Sequence, residues 1–225
     1  MIIAIDGPSG AGKSTLGKML AKRFGLLYLD TGAMYRAAAL AAIRQGVDLE
    51  DVKAVESAAE SAVIELTGEP DSMRVLLNGE DVSSEIRTLQ MAQAASIVST
   101  NSGVRRVMVD QQRRIGKAAP NGCVLEGRDI GSVVFPDADI KFFLTAKPEA
   151  RASRRFEEDR AKGRISTYEQ TLAEINERDD RDVSRLDSPL TIAEDSVVID
   201  TSELDLTEVF EQMLAAVAQY QNEAA

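Results

Sequence analysis

A chain of 225 residues, 44% of them hydrophobic, is long enough for one sizeable core or a core carrying a small inserted lobe. A formal net charge of -11, no tryptophan and only 4% aromatic residues argue against a nonspecific grip on a nucleic-acid polymer or a stacking platform for single strands. The absence of histidine removes imidazole bases, Ser-His triads and His-ligated zinc, and the single cysteine, Cys123, cannot form an internal disulfide, which fits a reducing compartment.

In chain order, a first apolar run, IIAID (2–6), reads as a buried strand. A helical pattern follows over 13–24 and ends at Gly25. LLYLD (26–30) is the second strand, and 33–45 is a helix ended by Gly46. Over 63–84 the pattern changes: RVLLNGEDV holds an Asn-Gly step between extended segments, which predicts a small antiparallel lobe inserted into a parallel fold. The stretch of about 90–117 reads as one long helix. CVLEG (123–127), IKFFLT (140–145) and SVVIDT (196–201) complete five buried parallel strands, and 206–220 is a last helix before a frayed end, QNEAA. Strands alternating with helices predict an α/β layered fold with right-handed crossovers. Cys123 reads as a small buried residue. No apolar run has membrane-spanning length, and MIIAIDG lacks a basic leader pattern, so a soluble cytoplasmic protein is expected.

The stretch between the first strand and first helix carries the clearest chemistry. Gly7, Pro8, Ser9, Gly10, Ala11, Gly12, Lys13 and Ser14 match G-x-x-x-x-G-K-[ST], with Thr15 next. Glycines let backbone N–H groups close on phosphate oxygens, and the helix behind adds its positive end. Lys13 is expected to reach the β- and γ-phosphates of a nucleoside triphosphate, and Ser14 to ligate Mg²⁺. No N-K-x-D motif is present, which excludes the usual GTPase switch, and the strand that could supply a Walker-B aspartate ends in Glu126. A small-molecule kinase remains, with a second anion held opposite the loop.

Thirteen of the 18 arginines fall between Arg105 and Arg185, which fits either a local anion site or a salt-bridged surface. Three stretches are candidates for the second site. LDTGAMYR places Thr31, Tyr35 and Arg36 after a strand end, as ligand contacts or as a helix start capped by Asp30 or Thr31. EGRDIG offers Arg128 and Asp129 between glycines, to fork a phosphate or to make a turn salt bridge. In STYEQTLAEINERDDRDVSR, Ser166 and Glu169 read as a capping box. The apolar stripe of Leu172 and Ile175 then continues into Arg178, Asp182 and Arg185, with Arg181 beside them. Such a helix lines a polar cleft, or is solvated with i,i+4 pairs. Before it, EARASRRFEEDRAKGR sets Arg151, Arg154 and Arg155 at helical spacing, on a flap that would neutralise a phosphoryl group and exclude water.

In this order, IDGPSGAGKST, LDTGAMYR, GEDVSSEIR, EGRDIGSVVFPDA and ERDDRD resemble the bacterial cytidylate kinases of the nucleoside-monophosphate kinase group, over essentially the whole chain. The resemblance implies a three-layer P-loop fold whose five-stranded parallel sheet has the order 2-3-1-4-5. It implies a kinase core over 1–62 and 85–225, a lid at about 150–165 and a monophosphate-binding insert containing 63–84, all in one catalytic unit. It implies that ATP bound by residues 7–15 phosphorylates CMP or dCMP with Mg²⁺ present, in a monomer with neither nucleic-acid nor membrane partners. Arg36 and Arg128 would hold the acceptor phosphate, and Arg178 and Asp182 the ribose. Ser96, Arg105, Asp129 and Arg185 would read cytosine, with Thr31 and Tyr35 completing the acceptor site. Lid arginines would come from Arg151, Arg154, Arg155 and Arg160, and transfer would depend on Lys13, Arg154, Arg155 and Arg178. The chain departs from the family pattern at Thr31, where relatives have Ser, and at Glu126, where some have Asp. Asp129 and Ser96 can accept from the cytosine N4 amine while Arg105 or Arg185 donates to N3 and O2, and uracil would leave those groups mispaired.

Overall fold

The computed structural model describes residues 1–161 and 163–223. Strand β1 (Ile2–Asp6) leads into helix α1 (Lys13–Phe24), and β2 (Leu27–Asp30) into α2 (Thr31–Arg44). Helix α3 (Val52–Ser61) precedes three short strands, β3 (Ile64–Thr67), β4 (Arg74–Leu77) and β5 (Glu80–Asp81). Then come α4 (Leu89–Val98), α5 (Ser102–Ala118), β6 (Cys123–Gly127) and β7 (Ile140–Thr145). Helices α6 (Pro148–Ala161) and α7 (Tyr168–Ser184), strand β8 (Val197–Asp200) and α8 (Leu206–Glu223) complete the chain.

The main sheet runs β2-β6-β1-β7-β8 with every neighbouring pair parallel, which is the expected 2-3-1-4-5 order. Its register brings the carboxyl ends together: Asp6 lies opposite Gly127 and Phe143, and Asp30 opposite Glu126. Ligands of open parallel sheets bind along this edge. Both faces are covered, which explains strands without polar alternation. Leu29, Leu125, Met34, Leu40, Val104 and Met108 pack on the side of α2 and α5. Ile3, Ile5, Leu16, Leu20, Phe142, Met213 and Val217 pack on the side of α1 and α8.

The Asn78-Gly79 step turns β4 into β5, with both residues at positive φ (51 and 83). Ile64, Val75, Leu77, Val82 and Ile86 from this small sheet and the turn after it join the α2-side core.

Four local features differ from the sequence expectation. The helix expected at about 90–117 is two helices, because Asn101 accepts from the backbone N–H of Gly103 and Val104 and starts α5 afresh. The capping box of α7 sits one residue later than expected, with Thr167 and Gln170 satisfying each other's backbone N–H. Helix α2 begins two residues early because the Asp30 carboxylate caps Ala33 N at 2.8 Å. Helix α8 continues through Glu223 of the expected frayed end, whereas Ala224, Ala225 and Lys162 of the expected flap lie outside the described residues. Among the described residues no helix is long and apolar enough to cross a membrane.

Candidate active site

Residues 7–12 connect β1 to α1 as a tight loop. A Cβ on Gly7 would lie 2.0 Å from the Leu144 carbonyl oxygen, so only glycine lets the chain pass β7 there. Gly10 and Gly12 adopt positive φ (81 and 92), and Gly12 caps α1 without a side chain to cover its amides. Lys13 is buried and donates from Nζ to the Pro8 carbonyl at 2.7 Å. Burial pushes its pKa well below the usual lysine range, and the Arg128 and Arg178 guanidinium groups push the same way against Glu126 and Asp6. A cation kept in such surroundings is set to receive an anion.

Three arginines from distant segments line the same cavity. Arg36 on α2 donates to Asp30 at 3.0 Å. Arg128, just past β6, donates from Nε to Asp182 on α7 at 2.7 Å. Arg178, one turn before Asp182, is pushed down to about 10 by burial first and by Arg128 next. Arg36 Nε and Arg178 Nε are buried without a hydrogen-bond partner, as donors reserved for a ligand are. All three arginines line one cavity of about 850 Å³ together with Ser9, Gly10, Ala11, Gly12, Lys13, Ser14 and Thr15. The α7 face does turn from apolar to charged: Ile175 and Asp182 are buried, and Arg178 looks into the cavity.

Glu126 closes the floor. It is buried, and the Tyr28 hydroxyl donates to it, with the Ser14 hydroxyl beside both. Burial and the nearby Asp30 raise its pKa, while Lys13 opposes the rise. Sequence reasoning left Glu126 in doubt and did not find Tyr28, whose partner lies 98 residues away.

The four arginines expected on a flap separate. Arg154 and Arg155 line the cavity, and Arg154 is held by Thr201 at the end of β8. Arg160 is exposed and stands over the Phe156 ring. Arg151 is a correction to the flap expectation. Only 2% exposed, it donates to Ala146 O, to Ser9 O of the phosphate loop and to Asp179 on α7. It braces the loop because its helical position faces Ser9 and α7, a direction that spacing alone did not distinguish. Arg164, unassigned from sequence, also lines the cavity and pairs with Asp159.

The residues expected to read a base gather beside this cavity. Ser96 on α4 lines an adjoining space of about 240 Å³ with Arg155, Arg178 and Arg181, and Arg181 donates to its hydroxyl at 2.5 Å. Arg105 on α5 is ion-paired with Asp129, and its guanidinium lies 5.7 Å from the Tyr35 ring centroid. Tyr35 is pushed up to about 12 by burial. Arg185 donates to Ser188 O at 2.6 Å, approaches Asp182 at 3.9 Å and leaves Nη2 buried without a partner. Thr31 is buried under this group and donates to Glu126 O at 2.6 Å. Arg105, Asp129 and Arg185 are buried and line neither space, whereas Tyr35 is half-buried.

Comparison with known proteins matches this arrangement to one family. A cytidylate kinase family model covers residues 3–219. The chain is 48% identical over 213 residues to a cytidylate kinase of Geobacter sp. (strain M21), covering 95% of this chain and 91% of that one. It is 49% identical over 215 residues to one from Caldanaerobacter subterraneus subsp. tengcongensis, covering 96% and 93%. Among solved structures, a shikimate kinase from Bacteroides thetaiotaomicron superposes with a TM-score of 0.50 at 14% identity, covering 97% of this chain and 98% of that one, which is a likeness of fold. With a family model spanning nearly every element described above, and relatives alike at almost every second position, the chain belongs to the cytidylate kinase family.

Proposed function

We propose that this protein transfers the γ-phosphoryl of ATP to CMP or dCMP, giving ADP and the cytidine diphosphate. The observation that carries this reading is the sharing of one 850 Å³ cavity by the phosphate loop and by Arg36, Arg128 and Arg178. Two polyanions gripped from opposite walls are what in-line phosphoryl transfer requires.

The acceptor phosphate is an anion at neutral pH, so no strong base is needed, which suits a chain without histidine. Lys13 and the loop amides would hold the β- and γ-phosphates. Arg36 and Arg128 would hold the acceptor, and Arg178 would stand between the two, where charge develops. Arg154 and Arg155 would complete the neutralisation and help exclude water. Asp182 would contact the ribose, and Ser96, Arg105, Asp129 and Arg185 the cytosine, with Thr31 and Tyr35 packed beneath. Among the described residues no group of three or more acidic or cysteine side chains could hold a metal by itself. The Ser14 hydroxyl next to Glu126 fits an ion that arrives with the triphosphate, and Mg²⁺ so held would supply further charge neutralisation. We further infer a monomeric cytoplasmic enzyme whose small sheet over 63–84 belongs to the monophosphate-binding insert.

A coupled assay of ADP release with each nucleoside monophosphate in turn tests the proposal. The expected result is preference for CMP and dCMP. Preference for UMP or AMP would overturn the substrate, and ADP release unaffected by any monophosphate would make the protein an ATPase.

A further inference from the structure

Asp6 ends β1 immediately before the phosphate loop, yet its side chain reaches the turn after β6. Its two carboxylate oxygens accept from two successive backbone amides, Ile130 N to Oδ1 and Gly131 N to Oδ2, each at 2.8 Å. Those amides belong to the turn that carries Arg128 and Asp129. The same turn is held at its far end by Arg113 on α5, which donates to Val133 O at 2.7 Å and Val134 O at 2.9 Å. Contact at the Asp6 end is close: a Cβ on Gly131 would lie 3.1 Å from Lys141 Cδ and 3.5 Å from Asp6 Oδ2.

We propose that Asp6 is a positioning residue that sets the acceptor-side turn of Arg128 and Asp129 relative to the phosphate loop. The inference rests on the kinase reading above. One residue begins the donor loop and, through its side chain, fixes the backbone from which the acceptor arginine departs. Only a carboxylate presents two acceptors to two adjacent N–H groups. Asparagine would turn an NH₂ against one of them. Burial pushes the Asp6 pKa up to about 6 against the pull of the two amides and Lys13, so its ionised form is costly to keep.

The test is Asp6→Asn in the full chain. Calorimetry measures CMP binding and the binding of a non-hydrolysable ATP analogue, with a thermal melt alongside. CMP affinity is expected to fall on the order of tenfold, because the turn is displaced. ATP-analogue affinity is expected to fall less, within about threefold, because the hydrogen bonds of the loop are kept and only the charge of Asp6 near Lys13 is lost. CMP affinity within about twofold of wild type, or equal loss for both nucleotides, would overturn the proposal. Should Asp6→Asn not fold, Arg113→Gln releases the other end of the same turn, and the same selective loss of CMP binding is expected. Its absence there would count equally against the proposal. Wild-type turnover of CMP is read separately, so a failed substrate assignment is not mistaken for a failed role of Asp6. With another preferred monophosphate, the same pair of affinities decides.

Discussion

Arg128 Nε and Asp182 Oδ2 meet at 2.7 Å, joining the turn after β6 to the seventeen-residue helix α7 across 54 positions of sequence. Burial works to raise the Asp182 pKa, but Arg128 and Arg178 overcome it and hold the carboxyl below its usual range. Asp182→Ala leaves two buried cations facing each other. We expect a stability loss of about 3–5 kcal/mol, as for other broken buried pairs, and weaker CMP than ATP binding. Chemical denaturation and calorimetry on the variant check both.

Lys13 gives a prediction of opposite sign for stability. Its pKa is depressed from 10.5 to about 7, so the cost of keeping the charged form folded builds as pH falls from about 10.5 to about 7 and stays in full below that. Lys13→Met should lower turnover by about a thousandfold, as loss of a preorganised charge does elsewhere. The nucleotide-free variant should melt no lower than wild type, and its CMP affinity should stay close to normal. A lower melting temperature with retained turnover would contradict the placement of Lys13.

The Asp6 carboxyl makes a pH prediction. Its folded pKa, about 6, is above the ordinary 3.8, so the native state holds the proton more tightly. This group's contribution therefore favours folding at low pH and is lost as pH rises from about 4 to about 6. Asp6→Asn lacks that slope. Relative to wild type, the variant should gain about 3 kcal/mol across this window, measured by denaturant titration at each pH. A constant difference would mean that burial does not outweigh the two amides and Lys13 at Asp6.

Local chemistry makes part of the site readable in the sequence. The glycine spacing of 7–14 identified a phosphate loop because the backbone conformation it needs is encoded within eight residues. The α7 stripe from Ile175 to Arg178 and Asp182 was readable because a helix face repeats at a fixed interval. The break at Asn101 was signalled locally by a capping residue, but an apolar pattern that continued across it hid the signal. Arg151, Tyr28 and Asp6 were not readable in their roles. Their partners, Asp179, Glu126 and the amides of 130–131, are brought near only by the sheet and the helices packed on it. Arg181 was seen beside the stripe, but its contact with Ser96 depends on how α4 meets α7.

In the proposed reaction the donor and acceptor phosphates lie together in one cavity. The most direct test is binding of a bisubstrate compound in which adenosine and cytidine are joined through five phosphates. Inhibition competitive with both ATP and CMP is expected, with tighter binding than either nucleotide alone. Competition with ATP only, with CMP still bound beside the inhibitor, would contradict it.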